Sequence, residues 1–78
     1  MADWKESKWV REPGGECTRR IADLRLTTWR AMSLDYRWRV TWLGATMRAG
    51  EGATSTLSTA KAQATRFARK ILEEVRRG

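Results

Sequence analysis

Tyr36-Arg37-Trp38-Arg39-Val40-Thr41-Trp42 alternates bulky apolar residues with arginine and threonine, which is the period of a strand that feeds a core on one face and meets solvent on the other. Just upstream, Leu24-Arg25-Leu26-Thr27-Thr28-Trp29 keeps the same alternation, so strands are predicted over 24–31 and 36–43, with the chain reversing through Met32-Ser33-Leu34-Asp35. Trp4 to Arg11 reads as a ragged first strand, 4–11. It is closed by Glu12-Pro13-Gly14-Gly15, where proline fixes φ and glycine accepts the positive φ of a tight turn, so a hairpin is predicted there. Cys17 to Ala31 is too long for one ordinary strand, and Ile21-Ala22 marks a bulge or a bend within it.

The register of the second hairpin decides which residues share a face, because a slip of one residue exchanges the two faces. A three-residue loop, Ser33 to Asp35, sets Leu26 opposite Trp42 and Thr28 opposite Val40. It leaves Arg25, Thr27, Trp29, Arg37, Arg39 and Thr41 together on the outer face. A four-residue loop would set Trp29 against Trp38 but would pair Arg25 with Trp42 on the buried side, and burying that charge costs more than exposing a tryptophan. The three-residue loop is therefore preferred.

The glycine-rich stretch from Gly44 to Gly52 is compatible with a mobile loop or with a short fourth strand over 45–49. Beyond it, Leu57, Ala60, Ala64, Phe67, Ile71, Leu72 and Val75 recur at three and four residues and predict an amphipathic helix over 57–76. Ser55 or Thr56 serves as its N-cap, and Arg76-Arg77-Gly78 suits its C-terminal end. Alanines at 60, 64 and 68 would let the helix approach the tryptophan-bearing side of a sheet closely. The predicted architecture is one α+β domain over 1–78, an antiparallel sheet of three to four strands packed against one C-terminal helix (βββα).

Seventy-eight residues suit a single core of modest size. The five tryptophans can each bury roughly 150–250 Å² in place of several smaller residues, so Trp4, Trp9, Trp29, Trp38 and Trp42 are all core candidates. The amino terminus lacks the apolar stretch of a signal peptide, and no segment approaches the ~18 apolar residues of a membrane span. A lone cysteine, Cys17, and the absence of histidine leave no zinc site and suit a reduced compartment. A cytoplasmic protein that does not engage membranes is expected. No cofactor box is visible. With no histidine, no base beside Cys17 and no paired carboxylates, no enzymatic activity is expected.

Sixteen lysines and arginines against nine acids give a net charge of +7, which makes DNA or another polyanion the first partner to expect. The candidate binding set is the outer face with Arg25, Thr27, Trp29, Arg37, Arg39 and Thr41, joined at the edges by Arg19, Arg20, Arg30 and Arg48. Guanidinium groups make paired hydrogen bonds to phosphate and to guanine, and they stack on bases. On the helix, Lys61, Arg66, Arg69, Lys70, Arg76 and Arg77 outnumber Glu73 and Glu74, and ordinary intrahelical pairs are expected to absorb most of that charge.

Three strands followed by one long helix resemble the arm-site DNA-binding domains of phage integrases, on the strength of Trp38-Arg39-Val40 and of the helix entry Thr56-Leu57-Ser58-Thr59-Ala60. The resemblance implies a sheet that enters the major groove. It departs at Thr59, where those domains commonly carry glutamate before the alanine, and in a longer preceding loop. The C-terminal helix also resembles that of double-stranded RNA-binding domains, although only Lys61 stands where those carry a lysine cluster. Size and arginine bias equally suit a small phage-encoded protein of a high-GC host, acting in the host cytoplasm. In that alternative, Trp4, Trp9 and Trp29 form an aromatic surface ringed by arginines that binds a host or phage protein. Self-association through an open sheet edge is a related outcome.

Overall fold

In a computed structural model that describes residues 4–32, 35–44 and 48–77, the chain forms β1 (Val10–Arg11), β2 (Cys17–Ile21), β3 (Leu24–Arg30), β4 (Tyr36–Trp42), β5 (Arg48–Thr54) and α1 (Leu57–Arg77). The strands make one antiparallel sheet in chain order, and α1 lies across one side of it against β3, β4 and β5. This is the α+β class expected from the sequence, with five strands where three to four were predicted. Among the described residues, no helix is long and apolar enough to cross a membrane.

The alternation in β3 and β4 determines the layering. Leu24, Leu26 and Val40 are fully buried and Trp38 nearly so, and with Ile21 they meet Ala60, Ala64 and Ala68 of the helix. Each large aliphatic removed from water in this way contributes about 1.5–3 kcal/mol, and the alanines let helix and sheet approach closely enough for such contacts to form. Trp38 donates from Nε1 to Gln63 Oε1 at 3.0 Å and packs against Phe67 with ring centroids 5.4 Å apart. Of the five tryptophans only Trp38 is buried. Trp4, Trp9 and Trp42 are half-buried against the margin of the core, and Trp29 lies on the other side of the sheet. Thr56 caps the helix, its Oγ1 accepting from the Thr59 amide at 3.2 Å. Val75, expected in the apolar stripe, is exposed.

Several boundaries differ from the sequence expectation. The first strand, predicted over 4–11, is only Val10–Arg11 with one isolated bridge from Glu6 to Ile21, because the segment before it is tied to the helix instead. Cys17–Ile21 is a full strand, and of the bulge or bend expected at Ile21-Ala22 it is the bend that forms, a tight turn at Ala22-Asp23 with Ile21 opposite Leu24. The hairpin predicted at Glu12-Pro13-Gly14-Gly15 forms, with Gly15 donating to the Glu12 carbonyl at 2.9 Å and adopting φ 91°.

The three-residue loop is corrected. The β3–β4 connection begins at Ala31, whose amide donates to the Asp35 carbonyl, and Leu26 faces Val40 while Thr28 faces Trp38. That is a slip of two from the preferred register, so every side chain stays on its expected face. Ser33 and Leu34, the centre of the predicted reversal, lie outside the described residues.

Of the two readings left open for the glycine-rich stretch, a loop or a short strand over 45–49, a strand is observed, Arg48–Thr54, and residues 45–47 lie outside the described ones. Its glycines have a steric cause. A Cβ on Gly50 would clash with the edge of the Phe67 ring, and one on Gly52 would stand 2.6 Å from Trp38 Nε1.

Candidate nucleic-acid interface

The helix covers one side of the sheet and leaves the other to solvent. Onto that uncovered side β3 projects Arg25, Thr27 and Trp29, and β4 projects Arg37, Arg39 and Thr41. They stand as cross-strand neighbours: Arg25 opposite Thr41, Thr27 opposite Arg39, Trp29 opposite Arg37. Arg20 of β2 faces Arg25 and extends the row, and Arg48 of β5 faces Thr41. Arg20, Arg25 and Arg37 are exposed, while Trp29, Arg39, Thr27 and Thr41 are half-buried among them.

Within this face Arg39 lies over the Trp29 ring, its guanidinium carbon 5.3 Å from the ring centroid. Its Nε is buried and has no hydrogen-bond partner among the described residues, so the aromatic face is its compensation. Glu51, opposite Arg39 on β5, is taken by an ion pair with Arg48. Arg20, Arg25 and Arg37 make no ion pair among the described residues, so their charge is directed at solvent. Arg25, Thr27, Trp29, Arg39 and Thr41 line an open groove of about 980 Å³ that runs from the turn at Gly14-Gly15 to Leu43-Gly44. Its volume is near the upper end of small-ligand sites, but it lies open along the strands and suits an extended ligand better than an enclosed one.

Arg19 does not belong to this face. It stands opposite Leu26, on the helix side, donating to the Ser7 carbonyl at 2.8 Å, Thr65 Oγ1 at 3.0 Å and Glu6 Oε1 at 2.9 Å. A cation at the rim of the core needs such partners, and the segment before β1 folds over to supply them. Arg30, opposite Tyr36 on the helix-side parity, is exposed at the strand end and there joins the lining of the same groove as Arg25, Trp29 and Arg39.

The tryptophans expected to form one protein-binding surface are divided between the two sides of the sheet. Trp4 and Trp9 pack against the helix-side core, Trp4 donating to Glu6 Oε2 at 3.0 Å and Trp9 lying under Lys61 Nζ at 5.5 Å, while Trp29 is on the opposite face. Arg69, expected to pair along the helix with Glu73, is joined instead to Glu6 of the segment before β1.

Comparison with protein-family models, curated proteins and solved structures found no match.

Proposed function

We propose that this protein is a non-enzymatic DNA-binding module that lays the uncovered face of its sheet on the phosphate backbone. One observation carries the reading: Arg25, Arg37 and Arg39 share a side of the sheet with Arg20, Thr27, Trp29 and Thr41, and its one strand-borne acid, Glu51, is already paired. Phosphates are the strongest ligand for such a row, since each guanidinium that displaces condensed counterions adds sequence-independent affinity.

The sheet-in-groove mode implied by the integrase-type resemblance needs one adjustment. Five strands at about 4.8 Å spacing are roughly 19 Å across, whereas the major groove is about 12 Å wide. A sheet of this width spans the groove and touches both phosphate walls. Contact is therefore mainly with backbone, with Arg39 and Trp29 at the centre of the face as the groups nearest to base edges.

The test is a gel shift on a short duplex at several salt concentrations. Three or more phosphate contacts give a slope of log K against log salt of about −3 or steeper. Arg25→Ala with Arg37→Ala should weaken binding and flatten that slope by about 2. Unchanged affinity in this exposed double variant would exclude the face as the binding surface, and affinity insensitive to salt would exclude a polyanion ligand.

A further inference from the structure

The cations of this molecule are not confined to one side. On the helix side, Trp9 and α1 bound a second groove of about 650 Å³ lined by Lys61, Arg66, Arg69 and Lys70, with Glu73 as the one acid in its wall among the described residues. Arg66 and Lys70 are exposed and lie one helical turn apart, so they present charge to the same strip of solvent. Neither makes an ion pair among the described residues.

The floor is rigidly built. Lys61 is held over Trp9, and Glu6 fixes one edge of the Arg69 guanidinium through Nε at 2.9 Å and Nη2 at 2.6 Å, which leaves Arg69 Nη1 free of that clamp. Two arginines share the single carboxylate of Glu6, so the cluster keeps a positive surplus at its base.

We propose that this groove is a second phosphate-binding surface, through which one molecule joins two DNA segments. The inference rests on the DNA-binding reading of the sheet face for its first contact. The two basic surfaces lie on opposite sides of a domain only 38 × 25 × 22 Å in extent. Duplex DNA is stiff, with a persistence length of about 150 bp, so a segment lying on the sheet face does not curl round to the helix groove. A second segment fills it.

The experiment immobilises one duplex on beads, adds the full chain, and measures capture of a second, fluorescent duplex, alongside ordinary single-duplex affinity. Wild type should retain the second duplex. Arg66→Glu with Lys70→Glu, both on the solvent side of the helix, should reduce that retention roughly tenfold or more while bead-bound protein stays at its wild-type level. Binding of the first duplex without retention of the second would overturn the bridging proposal and leave the sheet-face reading intact. Retention that survives the charge reversal would also overturn it and point to self-association, which sedimentation of the DNA-free protein detects. Failure to bind even the first duplex would overturn the sheet-face reading and the bridge built on it.

Discussion

Glu6 and Arg69, far apart in sequence, are joined by a two-point contact in which Nε and Nη2 of the arginine donate to the two oxygens of the glutamate at 2.9 and 2.6 Å. This contact ties the segment before β1 to the helix. The Arg69 hydrogen bonds hold the Glu6 carboxyl at about 2, down from an ordinary 4.5. The Trp4 indole N–H and the charges of Arg69 and Arg19 act in the same direction, against the opposing effect of burial. A carboxylate favoured in the folded state stabilises fully above its unfolded value and progressively less below it. Glu6 should therefore contribute fully above about pH 4.5 and lose its contribution as pH falls toward 2. The Arg69 side chain is half exposed, so the contribution is of order 1–2 kcal/mol, below what the shift would give a buried pair. Urea unfolding of Glu6→Gln at neutral pH should show that loss, and the gap to wild type should close between pH 5 and 2. A gap independent of pH would mean that Glu6 acts by packing alone.

The glycines of β5 are required by the aromatic side chains above them. Gly50 lies under Phe67 and Gly52 under Trp38, and Trp38 is held in place by its hydrogen bond to Gln63 and its contact with Phe67. Gly50→Ala and Gly52→Ala should each destabilise by about 2 kcal/mol or more, as overpacking of a filled site does. Gly14→Ala is the control: nothing lies within 4 Å of its Cβ position and its φ is not positive, so its unfolding midpoint should stay near that of wild type.

The same contacts explain which parts of the fold were legible in the sequence. β3, β4 and α1 were visible because their burial is periodic, and a register error of two left the arginine face correct. β5 resembled a loop because its residues were chosen by Phe67 and Trp38, which reach it from other elements. β2 lost its alternation because Arg19 takes a helix-side position beside Leu26. The residue that makes this tolerable, Glu6, belongs to a segment whose folding back no local pattern announces. Trp4 and Trp9 pack against the core as expected, but their separation from Trp29 was hidden for the same reason, since their partners Glu6 and Lys61 are set by that fold-back.

Ala22 occupies the left-handed region, with φ 52°, in the two-residue turn between β2 and β3. A Cβ there costs roughly 1 kcal/mol, and the conformation persists because the Ala22 amide donates to the Lys5 carbonyl at 2.9 Å and the Asp23 carbonyl accepts from the Leu43 amide at 2.8 Å. Ala22→Gly keeps both backbone bonds and removes the steric cost, though it frees the unfolded chain. A net gain of about 0.5 kcal/mol is expected, read as a higher urea midpoint with unchanged slope. A loss of stability would show that the Ala22 methyl group packs usefully.

Trp29 and Arg39 offer the sharpest separation of backbone contact from base contact on the proposed interface. Arg39 is held over the ring and its Nε donates no hydrogen bond among the described residues, so the tryptophan fixes where the remaining guanidinium donors point. Trp29→Ala removes no charge, and a purely phosphate-driven surface would keep its salt slope. Trp29→Phe retains a ring under Arg39 and should preserve most of the affinity. Trp29→Ala should lower affinity for DNA by about five- to tenfold, the loss expected when an aromatic platform worth about 1 kcal/mol or more is removed, with the slope unchanged. A slope that falls by about one in Trp29→Ala would instead mean that Arg39 itself was a phosphate ligand released by loss of its support.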